Sequence, residues 1–254
     1  MGSALATATS RVEGVKVFLC DTDKEKAAAV AERCGGEVTC AREIAKNCDF
    51  IFMAVKPNVI KNAAAEIKDI LAERSGYTVV SMAAGVSLSS LAEALGESTP
   101  IIRIMPNTPT AVGSGMTLYA ENGHVGNDAL SKFEAIMEQS GELDRIPERL
   151  IDAGSAVSGC GPAFVYMFIE ALSDGGVAVG LPRDKATLYA ANTLIGAAKT
   201  LICTGEHPEK LKDAVCSPGG STIEGVRALE EGAFRAAAAS AVVKAYEKTL
   251  ILGK

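Results

Sequence analysis

Short β-branched runs alternate with amphipathic stretches as far as Asp144, and beyond it the runs stop. Val15–Cys20 (VKVFLC) reads as a strand and Lys24–Cys34 as the helix after it. Asp49–Val55 (DFIFMAV) is an apolar strand broken by Lys56-Pro57, followed by a helix over Val59–Glu73. A strand over Tyr77–Met82, the turn Ala83-Ala84-Gly85, a helix over Ser87–Leu95 and a strand over Ile101–Ile104 continue the alternation. Strands that are apolar on both faces and separated by helices imply a parallel sheet covered on both sides, the plan of a dinucleotide-binding domain.

The second half reads as helical throughout. Pro162–Asp174 (PAFVYMFIEALSD) opens with proline at a helix start and should close at Gly175-Gly176. It is apolar nearly all round, which predicts a central position. Asp184 is placed to cap a second long helix ending at Gly205. Pro208–Val215, Thr222–Glu231 and Ala233–Leu252 follow as helices. The expected boundary lies at Glu148, giving domains over residues 1–147 and 148–254. An apolar, alanine-rich helical half of this kind is expected to self-associate.

Composition narrows the function. The net charge is −6 with no basic stripe, which argues against nucleic acid. Seven cysteines without a C-x-x-C spacing and only two histidines give no metal constellation. No unbroken apolar run reaches roughly 18 residues, and the N-terminus lacks the pattern of a signal peptide. The expectation is a cytoplasmic protein with reduced thiols and no membrane contact.

The segment Leu211–Arg235 (LKDAVCSPGGSTIEGVRALEEGAFR) joins a Pro-Gly-Gly turn to a helix start. Pro218 fixes its own φ, while Gly219 and Gly220 open conformations closed to other residues. Ser221 stands three residues before Glu224, the spacing of a capping box. Free N–H groups in the first helical turn would then face a glycine-lined hollow suited to a carboxylate or phosphate. An ordinary capped helix after a loop has the same spacing.

The wording of this segment resembles the C-terminal signature of the pyrroline-5-carboxylate reductase family. Leu211, Lys212, Asp213, Val215, Ser217, Pro218, Gly219, Gly220, Thr222, Ile223, Leu229, Glu230, Phe234 and Arg235 all stand at signature positions. Ala233 departs from it, because many members carry glycine there. The resemblance implies reduction of L-1-pyrroline-5-carboxylate to L-proline, the last step of proline biosynthesis, with NADPH, or NADH, as cofactor. It also implies an α/β dinucleotide-binding (Rossmann-like) N-terminal domain and an all-α C-terminal domain of the 6-phosphogluconate-dehydrogenase-like type, assembled as a homodimer or higher homo-oligomer through the helical domain.

Several site residues follow from the same resemblance. The family opens with a strand and a glycine turn whose last two conserved residues match Met1 and Gly2, with Met1 beside the cofactor; the favoured expectation is a working protein longer than this sequence, and the alternative is a truncated form with weak or no cofactor binding. Ala54, Val55, Lys56 and Pro57 match the family's A-V-K-P on the cofactor side. Ala83, Ala84 and Gly85 match its A-A-G, where small residues leave room for a flat ring. Arg103–Pro109 matches its R-x-M-P-N-T-P; Asn107 there suits a hydrogen bond near the nicotinamide, or simply the building of a turn between two prolines. Asp21 and Thr22 end the second strand of the expected sheet, where the adenosine ribose would lie.

On the substrate side the resemblance implies Ser217, Gly219, Gly220, Ser221 and Thr222, with Thr222 at the reaction centre. Glu148 aligns with an acid that contacts substrate in some relatives; its plain reading is a solvated acid in a first helical turn. Ser158–Pro162 matches S-G-S-G-P with Cys160 in place of serine, and with no histidine nearby in sequence it is not read as a nucleophile. A β-hydroxyacid dehydrogenase would need an acid/base lysine and an asparagine four residues later. The first lysine after Gly161 is Lys185, followed by Leu188 and Tyr189, so that pattern fails. A non-catalytic relative acting as a binding or assembly protein is the alternative of another class.

Overall fold

The computed structural model describes residues 1–252 of the 254, so the last two residues of the expected helical half lie outside the described part. The chain divides into two compact units. One is Met1–Pro162 together with the chain from Lys244 on, and the other is Ala163–Val243.

The first unit opens with α1 (Gly2–Thr9), followed by β1 (Phe18–Leu19), α2 (Lys24–Cys34), β2 (Glu37–Val38) and α3 (Ala41–Asn47). The strand expected over Val15–Cys20 is thus only two residues long. Strands β1 and β2 form their own parallel pair, not bonded to the main sheet. The main sheet follows: β3 (Phe50–Met53), α4 (Ile60–Ala72), β4 (Thr78–Ser81), α5 (Leu88–Leu95), β5 (Ile101–Met105), β6 (Gly115–Glu121), α6 (Asn127–Met137) and β7 (Gly141–Arg145), with α7 (Glu148–Ser158) after it. Its five strands lie in the order β3-β4-β5-β6-β7.

The sheet is mixed rather than parallel, which corrects the sequence expectation. Strands β3, β4 and β5 are parallel, with Phe50 opposite Thr78 and Val79 opposite Ile101. Strand β6 runs antiparallel to β5, with Ile102 opposite Glu121. A parallel connection needs a crossover of about a dozen residues or more, usually through a helix. The link from β5 to β6 is a short one built around a single-turn 3-10 helix at Thr108–Val112, so the chain doubles back. The link from β6 to β7 contains α6, and that pair is parallel again.

Alternate residues of the central strands feed two cores. Ile51, Met53, Val79, Ile101 and Met105 meet Ile60, Ala64, Ile67 and Leu71 of α4, Leu91 and Leu95 of α5, and Ile151 of α7. Val80, Ile102, Ile104 and Tyr119 meet Leu5 of α1 and Leu130, Phe133 and Met137 of α6 on the other side. The Phe133 ring is fully buried, with its centroid 5.4 Å from that of Tyr119 in an edge-on arrangement. Each such side chain contributes about 1.5–3 kcal/mol by leaving water.

The second unit is built from α8 (Gly161–Ala178), α9 (Arg183–Thr204), α10 (Pro208–Ala214), α11 (Ser221–Glu231) and the start of α12 (Phe234–Leu252). Three expectations are corrected here. Helix α8 runs through Gly175 and Gly176 instead of stopping there; the glycine at 176 serves packing, since a methyl there would stand 3.0 Å from Ala186 Cβ and the bare backbone lets α9 approach. Asp184 lies inside the first turn of α9, whose cap residue is Pro182. Helix α8 is not central in the single chain, since Ser173 is its one buried residue while Val165, Tyr166 and Met167 are exposed. Among the described residues, Glu148–Ala178 is the one helical stretch long and apolar enough to cross a membrane by length and composition, although polar residues interrupt any unbroken run.

Candidate functional site

The parallel direction of β3, β4 and β5 brings their carboxyl ends to one edge of the sheet, where ligands of such sheets bind. Ala54, Val55 and Lys56 leave β3 there, and Pro57 starts a single-turn 3-10 helix. Ala83, Ala84 and Gly85 leave β4, and Asn107 stands just past β5. The expected cofactor residues on these three strands therefore gather along one edge. Asp21 and Thr22 follow β1 in the separate two-stranded sheet.

Helix α1 begins at this edge. No side chain caps its first turn, so early backbone N–H groups remain free to meet an anion. A methyl placed on Gly2 would stand 2.7 Å from Ala54 Cβ. The bare backbone at Gly2 is what brings the helix start against the end of β3, and a pyrophosphate at that place meets backbone rather than a side chain. The residues present thus fit the diphosphate of a dinucleotide.

The Asp21 carboxylate accepts a hydrogen bond from Asp23 N at 3.0 Å and lies 3.5 Å from Lys26 Nζ. The Asp23 N–H holds the carboxyl below its ordinary range, and the Lys26 charge adds to this. Asp23 in turn caps α2 by accepting from Lys26 N. The Asp21–Asp23 turn is therefore ordered by its own side chains.

Two expected site residues make their bonds inward. Asn107 is buried, its Nδ2 donating to Ser158 O at 2.9 Å and its Oδ1 accepting from Met116 N at 2.9 Å. The Glu148 Oε1 accepts from Leu88 N at 2.6 Å and from Arg103 Nη1 at 3.2 Å. It is a partly buried bridging acid, not the solvated one that its first-turn position suggested. Arg103 and Asp152 complete this cluster, with Nη2 of Arg103 donating to Asp152 Oδ1 at 2.5 Å. Sequence reasoning assigned neither of them a role. The signal was present, however: Arg103 is a charge inside IIRIM, where the pattern demands burial, and Glu148 and Asp152 stand four residues apart, on one face of the next helix to carry acids at that spacing.

In the second unit, the Ser217–Gly220 turn closes with Gly220 N donating to Ser217 O at 3.0 Å. Gly219 takes φ +69°, the left-handed region that favours glycine. A Cβ on Gly220 would meet Ser217 Oγ at 2.4 Å, so a larger residue there would displace that hydroxyl. Ser221 is the first residue of α11 and Gly220 its cap, with no side-chain cap bond. This corrects the expected capping box: Glu224 instead pairs with Arg227 at 3.2 Å. The N–H groups of the first turn are left uncapped by side chains, beside the exposed hydroxyls of Ser217, Ser221 and Thr222.

An ion network joins the helices that flank this turn. Arg235 reaches Glu230 at 2.6 Å and Glu209 at 2.7 Å, and Lys212 reaches Glu209 at 2.6 Å. Hydrogen bonds from Lys212 and Arg235 draw the Glu209 carboxyl down to about 2. The network ties α10 to the junction of α11 and α12 on either side of the Ser217–Gly220 turn. Ala233, at that junction, takes φ +53° and is the one non-glycine residue with positive φ among those described.

Comparison with known proteins agrees with both units. Residues 148–251 match the family model described as pyrroline-5-carboxylate reductase dimerisation, and residues 1–85 match one described as NADP oxidoreductase coenzyme F420-dependent. The chain is 43% identical over 258 residues to the pyrroline-5-carboxylate reductase of Escherichia coli (strain K12), covering 100% of this chain and 95% of that protein. The Arabidopsis thaliana enzyme of the same name is 42% identical over 213 residues, covering 82% of this chain and 75% of that one. Among solved structures, a Plasmodium falciparum pyrroline carboxylate reductase with NADP bound superposes with TM-score 0.88 at 31% identity, covering 100% of this chain and 95% of that one. A Coxiella burnetii pyrroline-5-carboxylate reductase gives TM-score 0.86 at 32% identity, covering 100% and 94%. The identity across the whole chain, the Rossmann-type sheet and the intact Ser217–Thr222 turn lead to one assignment: this chain belongs to the pyrroline-5-carboxylate reductase family.

Proposed function

We propose that this chain reduces L-1-pyrroline-5-carboxylate to L-proline, the closing step of proline biosynthesis, as an NAD(P)H-dependent oxidoreductase of the cytoplasm. The 43% identity to the Escherichia coli reductase over the full chain carries this reading. The cofactor, when bound, supplies a hydride to the substrate C=N carbon.

The chain's own groups bind and orient. A protonated cyclic imine is already electrophilic, so the site needs chiefly to hold the ring in line. The N–H groups of Gly220, Ser221 and Thr222 hold the substrate carboxylate, with Ser217 and Gly219 shaping the turn. The Thr222 hydroxyl contacts the ring nitrogen or the carboxylate, and nothing between Ser217 and Thr222 titrates near neutral pH. On the cofactor side, the uncapped first turn after Met1 holds the diphosphate. Ala54, Val55, Lys56 and Pro57, with Ala83, Ala84 and Gly85, line the nicotinamide and phosphate side, and Asp21 and Thr22 face the adenosine ribose. Asn107 and Glu148 act on this site through the elements they brace.

We read residues 1–147 as the cofactor domain and 148–254 as the helical domain through which the chain forms homodimers or higher oligomers. The match to a dimerisation family over residues 148–251 supports homo-oligomerisation, and the exposed Val165, Tyr166 and Met167 of α8 are the side chains it would cover. The test is a steady-state assay of NADPH and NADH oxidation with pyrroline-5-carboxylate. Proline formed at a rate tied to cofactor oxidation is the expected result. Cofactor binding without turnover would instead favour a binding protein.

A further inference from the structure

Arg103 is the residue that the reaction scheme leaves without a task. It lies mid-strand in β5 between Ile102 and Ile104, both fully buried, and is itself 3% exposed. Burying a guanidinium costs several kcal/mol unless it is well paired, and an apolar residue of similar size often does as well for stability. The pairing here is divided. Nη1 donates to Glu148 Oε1 and Nη2 to Asp152 Oδ1, while the buried Nε has no partner. Each arm of the fork thus fixes one carboxylate of α7.

The Glu148 carboxylate then reaches outward. Its Oε1 takes the N–H of Leu88, the first residue of α5. Ser87 already accepts from Ser90 N in the same turn, so Glu148 satisfies a further donor of that helix start. Leu88 ends the loop that leaves β4 through Ala83, Ala84 and Gly85. Ala83 and Val86 of that loop are buried in the core, and Val86 N donates to Ala83 O at 3.3 Å. Packing of these small side chains sets the loop's depth, and the Leu88 N–H held by Glu148 is the polar tie at its far end. Asn107, just beyond β5, holds the carbonyl of Ser158 at the far end of α7. Strand β5 therefore fixes α7 at both ends, and α7 fixes the start of α5.

We infer that Arg103, acting through Glu148 with Asp152 as counterweight, is a positioning residue that sets the Ala83–Val86 loop against the nicotinamide side of the cofactor. The inference rests on the function proposed above. It assigns Glu148 to the cofactor half of the site rather than to substrate contact.

Three variants test it. Glu148→Ala removes the acceptor for Leu88 N, Glu148→Gln keeps an acceptor there, and Arg103→Lys loses the fork that serves two carboxylates. In Glu148→Ala and Arg103→Lys, amide exchange at Val86–Leu88 should accelerate about tenfold with β4 unchanged. The KM for NADPH should rise about tenfold, with the KM for pyrroline-5-carboxylate within about twofold of the parent. Glu148→Gln should recover most of both effects. If Arg103→Lys does not fold, the two Glu148 variants carry the same comparison. Unchanged exchange at Leu88 in Glu148→Ala, or a rise in the substrate KM alone, overturns the inference. A parent chain that turns over no pyrroline-5-carboxylate overturns the functional reading instead, and the exchange comparison still decides whether the clamp holds the loop.

Discussion

A methyl group on Gly2 would stand 2.7 Å from Ala54 Cβ, well inside any normal carbon–carbon contact. The first turn of α1 and the end of β3 touch through bare backbone. Gly2→Ala should push them apart and raise the KM for NADPH by about tenfold or more, because a displacement of 1 Å at a bound group can cost about a hundredfold. A fluorescence titration with NADPH reads this without turnover. An unchanged dissociation constant would show that the α1 terminus does not hold the diphosphate.

Thr222→Ala should lower turnover or raise the substrate KM about fivefold, the worth of one ordinary hydrogen bond of about 1 kcal/mol. Thr222→Ser keeps the hydroxyl and should stay near the parent. Steady-state kinetics on pyrroline-5-carboxylate decide it, and parent-like constants in the alanine variant would remove Thr222 from the site.

Ala233→Gly should stabilise the protein. Ala233 sits at φ +53°, where a side chain costs roughly 1–2 kcal/mol, against the roughly 0.5–1 kcal/mol that glycine loses in backbone freedom. The balance favours glycine by about 0.5–1 kcal/mol, or about 1–4 °C in Tm for a chain of this size. A differential scan of both proteins measures it; a lower Tm for the glycine variant would contradict the strain.

Acid should loosen the brace around the Ser217–Gly220 turn in a defined window. The Glu209 carboxyl titrates at about 2 in the folded protein, against an ordinary value of 4.5, because of its bonds to Lys212 and Arg235. A depressed carboxyl contributes its stability above the ordinary value and loses it as pH falls through the folded one. Protection of α10 relative to the main sheet, after correction for the intrinsic pH dependence of amide exchange, should therefore be steady down to about pH 5 and should then fall as pH drops toward about 2. Arg235→Gln removes one partner and should shift that window upward. The same acid profile in parent and variant would show that Arg235 does not hold Glu209.

Much of this fold could be read from periodicity alone. Helix α2 falls where Lys24–Cys34 was expected, and the Ile60, Ala64, Ile67 and Leu71 stripe of α4 is an ordinary helical spacing. Strand β3 showed because all four of its residues are apolar, and β4 and β5 because every residue is buried and most are β-branched. Strand β7 (GELDR) did not show, since its residues are mostly exposed, and α1 (GSALATAT) is too rich in small polar residues to stand out from a loop. The reversal at β6 depends on the length of a connection rather than on a pattern within the strand.

The site was legible to a different depth on each side. The Ser217–Thr222 turn is contiguous, so its glycines and hydroxyls could be read together. Even so, whether Ser221 or Gly220 caps α11 turns on one φ/ψ pair, which spacing does not specify. The inward bonds of Asn107 and Glu148 join residues 51 and 60 positions apart. No local pattern encodes a partner at that distance. Arg103 was visible as an oddity in its strand, but its role depends on which helix covers that face of the sheet.

The bare face of α8 also has a consequence for the life of the chain in a cell. A newly made protomer displays Val165, Tyr166 and Met167 at 44%, 60% and 69% exposure, the kind of apolar surface that chaperones and proteases recognise. On the proposal that this face is the one buried on self-association, paired copies would hide it and unpaired copies would be left to quality control. The abundance of such a protein would then be governed by the supply of matching chains as well as by the rate of its synthesis.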